Sequence, residues 1–304
     1  MSAGPSTTTA VLDEVDEIVG LDQAQAEAAT KVKREPNRFS AKAKNLALPV
    51  ITTILVIGFW QFFSTHLLDQ SKRFILPPPT DVVRIGFGNA RNRAELLNGI
   101  LQTSEVALAG LGVAIVLGSL IALAMSQAIW LERAIYPWAV FLQTIPILAL
   151  VPLISFWFGY GFGSRVLVCV MIAMFPIITN TLFGLQSVSR AHRDLFTLYQ
   201  ASWGTRIKKL LLPNALPSVL AGWRISAGLS VTGAIVGDYF FRQGRAGIGR
   251  LLDAYTQHLR SSQLFAGVIL ASGFGLAVFW VFGLLSQVLV GKWHETGQKR
   301  GAED

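Results

Sequence analysis

The sequence predicts an all-α, polytopic membrane protein with about six transmembrane helices, and three observations predict it. The chain has 304 residues, 52% hydrophobic and 14% charged, a balance too apolar for an ordinary soluble domain. Its apolar residues gather in blocks long enough to cross a bilayer, which takes about 20 residues of helix. The blocks carry Gly, Ala and β-branched residues without period-2 alternation, which favours helix over barrel strand. Six blocks qualify, at 46–63, 106–125, 134–158, 166–185, 219–236 and 264–290.

Charge placement orients them. Lys31, Lys33, Arg34, Arg38, Lys42 and Lys44 precede the first block, and Arg190, Arg193, Arg206, Lys208 and Lys209 fill the loop between the fourth and fifth. With six spans both clusters fall on one face, so the positive-inside rule places that loop and both termini in the cytoplasm. Arg84, Arg91, Arg93, Arg242, Arg245, Arg250 and Arg260 fall on the other face, so only the rule's weighting of short loops favours this choice. The net charge of +8, so distributed, points to the lipid bilayer and not to nucleic acid.

Residues 1–44 read as a cytoplasmic tail, first acidic and then basic. Asp13, Glu14, Asp16, Glu17, Asp22 and Glu27 stand among few large apolar groups, too few to bury a core, so disorder is expected. No apolar core follows a basic start, so the tail is no signal peptide, and the first span, with its loop (45–75), is an uncleaved anchor. Next comes Leu76-Pro-Pro-Pro-Thr-Asp-Val82, extended by its prolines. Thr80 or Asp81 is expected to cap a short interfacial helix reaching about Leu97.

The core, 76–292, holds the remaining five spans. Gly110, Gly112 and Gly118 in the second, and Gly233-x-x-x-Gly237 in the fifth, offer small-residue surfaces for close helix approach. The third span holds Pro137, Pro146 and Pro152 and ends Phe156-Trp-Phe-Gly-Tyr-Gly161. Each internal proline frees a carbonyl and bends the helix, and irregular backbone at membrane depth is tolerated beside a water-filled cavity. Gln143 and Thr144 adjoin Pro146, and Asn180 follows Pro176 in the fourth span. Gln143, Thr144, Pro146, Pro152 and Asn180 are therefore the candidate walls of a pathway, although such polar residues equally suit helix–helix hydrogen bonds. Cys169 reads as a small apolar side chain in a packed span. The four histidines have no ligand neighbour at i+3 or i+4, so the sequence offers no metal site. Arg224 and Asp238, near the two ends of the fifth span, read as anchors or cross-helix ion pairs. Residues 293–304 form a second cytoplasmic tail.

In combination these features resemble the permease subunits of the nitrate/sulfonate/taurine group of ABC importers, which also serves thiamine-precursor pyrimidines and riboflavin. The resemblance rests on the Leu-Pro-x-Pro start, the prolines at 137, 146 and 152, Trp157-Phe158-Gly159-x-Gly161 and Pro176. It continues through Ala201-Ser202, Leu212-Pro213-x-Ala-Leu-Pro217, Gly222-x-Arg224-Ile225, Asp238 and Gly247-Ile-Gly249. It implies a type I importer permease fold whose cytoplasmic loop, here 187–218, docks on a separate ATPase. The family's loop starts Glu-Ala-Ala, has a glycine six residues on, and ends Leu-Pro. Here Asp194-Leu195-Phe196 stands at the start and Gln200 replaces the glycine, which leaves Gly204 as the candidate for a flexible turn. The docking residues so implied are Asp194, Leu195, Phe196, Tyr199, Gln200, Ala201, Ser202, Gly204 and Pro213, with Leu195, Phe196, Leu198 and Tyr199 offered by two short helices to a hydrophobic groove.

No Gly-x-x-x-x-Gly-Lys-[Ser/Thr] phosphate loop occurs, so the chain is expected to bear no cofactor or catalytic residue of its own, with ATP and magnesium bound by the partner ATPase. The other implied partners are an extracytoplasmic solute-binding protein and a second copy of the permease. The expected function is uptake of a small organic or anionic solute, with the segment 145–152 leaning towards the thiamine-precursor and riboflavin branch. Two other readings stay open: a secondary transporter driven by an ion gradient, and a membrane scaffold without transport. The halves show no inverted repeat and the span centres no carboxylate, both of which a secondary transporter often has.

Overall fold

The computed structural model describes the backbone of residues 38–290 and the side chains of 47–290; residues 1–37 and 291–304, which include most of the first expected tail and all of the second, lie outside the described residues. The chain divides into two units, 1–60 and 61–304. In the first, helix α1 (Arg38–Phe62) begins inside the stretch that the sequence reads as tail. Extended by a π-turn, its apolar part, Ala47–Leu67, is long enough to span a bilayer.

The second unit is all helical. Its elements are α2 (Ala90–Met125), α3 (Ile129–Thr144), α4 (Ile147–Phe158), α5 (Phe162–Gln186), α6 (Arg190–Leu198), α7 (Leu212–Phe240), α8 (Ile248–Gln257) and α9 (Ser261–Val290). Among the described residues five helices are apolar and long enough to cross a membrane, and α3 with α4 makes a sixth crossing if the bent pair is one span. The protein is thus an all-α polytopic membrane protein.

At the centre α5 packs between α2 and α7. Between surfaces as apolar as lipid tails the hydrophobic effect supplies little, so close approach through small residues has to hold the helices together. Gly110 of α2 and Gly233 of α7 both press on Cys169, and a Cβ at either would overlap it; a Cβ on Gly237 would make a tight contact with Arg165 at 3.2 Å. Gly118 packs on Ile177 and Gly222 on Asn180. Cys169 is fully buried with Val106, Ala107, Val231 and Ala234, as its apolar reading requires. Gly112 departs from expectation: it faces open space, because a helix presents residues 110 and 112 on different faces.

The elements run end to end. The α2–α3 turn, the last turn of α5 and the segment after α6 meet at one end, where Trp203 bonds Gln127 and Gln186 bonds Glu132. The start of α5, the last turn of α7 and α8 meet at the other, where Arg165, Asp238 and Ile248 converge. The pair α3–α4 therefore travels the length of the bundle, from Glu132 at the first end to Phe158, whose carbonyl accepts from Ser164, at the second. It is a broken span and not a re-entrant loop.

Two expectations need correction, and a third is refined. The third span is broken at a proline, as its sequence implies, but it starts earlier than 134: it begins at Ile129, stops at Thr144 and restarts at Ile147 after a 99° bend. Pro146 lacks the N–H that would continue the ladder and pushes Ile145 into extended backbone, whereas Pro137 and Pro152 stay inside their helices. The interfacial helix does not reach Leu97. Pro79–Asp81 and a π-turn over Val82–Phe87 end at Gly88, and Asn89, whose side chain accepts from the Arg91 and Asn92 N–H groups, caps the 36-residue α2. Neither Thr80 nor Asp81 caps the short helix, since Pro78 occupies that position. Finally, Leu212-Pro213 does not end a loop but opens α7. The π-turn Ile207–Leu211 before it bonds the Leu212 N–H to the Ile207 carbonyl, five residues back.

Candidate functional site

At the first end, residues 187–211 form a compact basic platform. Ser189 stands at the N-cap of α6, its hydroxyl accepting from the His192 N–H, and Ser202 caps the turn Trp203–Arg206 by accepting from Thr205. Spacing of i, i+3 and i+4 puts Leu195, Leu198 and Tyr199 on one face of α6. Leu198 and Tyr199 are 81% and 79% exposed, values that mark them as a surface awaiting a partner in a chain rich in apolar contacts. Asp194 is exposed beside them, while Phe196 is half-buried and serves the subunit's own packing.

The helix α6 ends in a left-handed residue, Gln200, with φ of 49°. Ala201 N–H bonds the Phe196 carbonyl and Gln200 N–H the Thr197 carbonyl, the paired bonds of a Schellman cap. This geometry explains the glycine expected at position 200. A side chain there costs about 1 kcal/mol relative to glycine. Gly204 does not supply the turn: it lies within Trp203–Arg206 with no left-handed backbone. Ala201 and Ser202 connect the cap to that turn, and Pro213 sits beyond it in the first turn of α7.

Two bonds tie the platform to the span ends, and a third extends the connection to α3. Trp203 Nε1–H donates to Gln127 Oε1 at 2.6 Å, in the turn after α2. Arg193 donates to the Gln186 carbonyl at 2.9 Å, at the end of α5, and Gln186 donates to Glu132 of α3 at 2.6 Å. Through these bonds α6 and the turn that follows it connect to the ends of α2, α3 and α5. Beneath the platform lies a cavity of about 730 Å³.

The other end is closed by a buried ion pair. Arg165 Nη1 lies 2.9 Å from Asp238 Oδ1, and both side chains are almost wholly buried. Thr103 donates to the other carboxylate oxygen and accepts from the Ile248 N–H, while the guanidinium also donates to the Gln243 and Arg245 carbonyls. Charges this deep need a partner and hydrogen bonds, and here both carboxylate oxygens and both terminal guanidinium nitrogens have them, while the buried Arg165 Nε has no hydrogen-bond partner among the described residues. A Cβ on Gly247 would overlap the Asp238 carboxylate and one on Gly249 the Ile235 carbonyl, so the Gly247-Ile-Gly249 motif lets α8 close over the pair. Sequence reasoning identified Asp238 as half of an ion pair but missed Arg165 and Thr103. The signal for Arg165 was a lone arginine at the edge of an apolar block. Nearby, burial and the neighbouring Glu95 push the Tyr255 phenol above its ordinary pKa. Arg224 has no carboxylate partner among the described residues; its guanidinium lies 4.1 Å from the centre of the Phe279 ring.

The candidate pathway residues are not gathered into one site within a single subunit. Gln143 and Thr144 are exposed on the last turn of α3, with Thr144 donating to the Phe141 carbonyl, and Pro146 forms the bend. Pro152 lies inside α4. Asn180 is half-buried where α5 meets α7 and donates to the Pro176 carbonyl of its own helix.

A bundle of long apolar helices, one of them broken, with a basic platform of short helices at one end, defines a membrane transport subunit. Comparison with known proteins says which. A family described as the inner membrane component of binding-protein-dependent transport systems matches residues 114–291. The chain belongs to this family. It is 31% identical over 242 residues to the formylaminopyrimidine transport permease protein ThiX of Halalkalibacterium halodurans, covering 80% of this chain and 94% of the relative. It is 32% identical to the riboflavin transport system permease protein RibX of Chloroflexus aurantiacus, covering 81% and 89%. A putative aliphatic sulfonates transport permease protein, SsuC of Bacillus subtilis, is 28% identical over 91% of this chain and 96% of the relative. Among solved structures, a chain of an amino acid ABC transporter shares the fold, with a TM-score of 0.50 at 15% identity over 66% of this chain and 94% of that one.

Proposed function

We propose that this chain is the membrane-spanning subunit of an ATP-driven importer, pairs with a second copy of itself, receives solute from an external binding protein, and is driven by a separate ATPase docked on residues 187–211. The carrying observation is the exposed apolar face of α6 set in a basic rim and wired through Gln127, Gln186 and Glu132 to three spans. An apolar anchor with a charged rim is the common anatomy of a protein docking site. ATP and magnesium belong to the partner in this reading, and ATPase closure would move α6 and, through it, the broken span.

The bacterial cytoplasmic membrane and a cytoplasmic platform follow from the same reading. Both termini are assigned to the cytoplasm in this reading, from the basic residues that precede the first span and fill the platform. Gln143, Thr144, Pro146, Pro152 and Asn180 are assigned to the passage that two copies enclose. Among solutes, a small nitrogen heterocycle is favoured over a sulfonate, because the relatives named for formylaminopyrimidine and riboflavin exceed 30% identity and the sulfonate relative does not. An ion-gradient mechanism fits less well, since the buried carboxylate of Asp238 is already held by Arg165 and Thr103.

The test replaces Leu198 and Tyr199 together by Asp. Both side chains project from the subunit, so the membrane protein should fold as before. Burying two carboxylates in an apolar groove costs several kcal/mol, so the ATPase should no longer co-purify. Unchanged co-purification would remove the docking role from α6.

A further inference from the structure

The cavity under the platform has a composition that docking of an ATPase on the outer face of α6 does not use. Its roof is the segment from Arg193 through Arg206, and its floor is apolar, formed by Met125, Ile129, Leu185 and Leu211 at the ends of the spans. Two guanidinium groups reach it. Arg193 spends one nitrogen on the Gln186 carbonyl, while its Nε is buried without a hydrogen-bond partner. The Arg206 side chain has no hydrogen bond or ion pair among the described residues. The single acid in the lining, Glu132, accepts from Gln186 and pairs with neither arginine.

A buried guanidinium N–H without an acceptor costs free energy, and a second cation beside it adds repulsion. An anion with several acceptor oxygens relieves both, and arginine forks suit phosphate geometry. The anion's other end must be apolar, because the floor is. The cavity also lies at the ends of membrane spans, with an indole, Trp203, at its edge, where amphipathic rings mark the headgroup level. Basic pockets between helices on the cytoplasmic side are a recognised setting for anionic headgroups.

We infer that this cavity binds one anionic phospholipid, its phosphate held by Arg193 and Arg206 and the start of an acyl chain lying on Ile129, Leu185 and Leu211. The bound lipid bridges the α2–α3 turn, the end of α5 and the platform, the same three parts that the Trp203 and Arg193 bonds join. It therefore holds the platform in register with the spans. The binding itself does not depend on any ATPase and is measured without one, so it can fail while the docking assignment stands, and the reverse.

The experiment uses the full-length chain purified in a neutral detergent at about 150 mM salt, where long-range attraction is screened. Phosphatidylglycerol, phosphatidylcholine and inorganic phosphate are titrated separately, with bound lipid counted by native mass spectrometry. One phosphatidylglycerol should bind per chain, with phosphatidylcholine at least about tenfold weaker. Arg206→Gln should weaken phosphatidylglycerol by about tenfold, the scale of one charge-assisted hydrogen bond, and Arg206→Lys should recover part of it. Lys208→Gln with Lys209→Gln, which removes twice the charge from exposed positions, should change binding by about twofold or less. Each variant is checked for an unchanged elution volume. The proposal is overturned if the lysine pair loses as much as Arg206→Gln, which would mean diffuse attraction, or if phosphatidylcholine binds equally well. Competition by millimolar inorganic phosphate would overturn the lipid assignment in favour of a free-anion site.

Discussion

The two ends of the bundle are built on opposite principles. At the Arg165–Asp238 end the charges are paired from within: a carboxylate bonded to a guanidinium and a hydroxyl, backbone carbonyls taken up by the same guanidinium, and glycines that let α8 close over the pair, with Arg165 Nε the one atom of the ion pair that has no hydrogen-bond partner among the described residues. At the platform end the chain leaves its needs open, with Leu198 and Tyr199 exposed, a left-handed glutamine and an Arg206 side chain without an ion pair among the described residues. One end is finished within the subunit and the other is shaped for something outside it. Charges at membrane depth are stable when they are paired within the subunit, whereas a docking end must keep surface in reserve.

The sharpest way to break this contrast is at the closed end. Asp238→Asn leaves Arg165 buried without its counter-charge, which should cost about 3–5 kcal/mol and show as lost folded yield in detergent. The double change Arg165→Met with Asp238→Leu should recover much of that yield, because it removes both charges. If the single variant is as stable as the parent, the network does not lock this end.

A smaller effect is expected midway along the bundle. Gln143→Leu should reduce uptake per assembled complex while leaving yield intact, because Gln143 is exposed in the single subunit and bonds no neighbouring helix among the described residues. Normal uptake with reduced yield would assign it a structural role and move the pathway off the bend. The smallest effect belongs to the platform: Gln200→Gly should raise stability by roughly 0.5–1 kcal/mol by removing a side chain from left-handed backbone. A thermal midpoint that falls instead would show that the Gln200 side chain contributes a contact that outweighs the strain.

Much of this was legible in the sequence because membrane helices announce themselves by length and hydropathy, and prolines by their missing N–H. The blocks around 106–125, 166–185 and 264–290 lie within observed helices, and the bend falls at one of the three marked prolines. Which proline would break the helix was not legible, since all three lack the same donor and only Ile145 leaves helical backbone. The platform's residues could be located, but the choice between Gly204 and Gln200 as the turn depended on a cap whose bonds form only after α6 exists. Arg165 and Asp238 lie 73 residues apart, and nothing local joins them; only the helix packing brings them into contact.

The account depends most on the two ends facing different compartments. Cys169 is fully buried, so it is a quiet background for cysteine labelling. Ser202 and Arg245 are exposed, one at each end. With a membrane-impermeant maleimide, Arg245→Cys should label in intact cells and Ser202→Cys only after permeabilisation. Labelling of Ser202→Cys from outside intact cells would place the platform away from ATP and contradict the account.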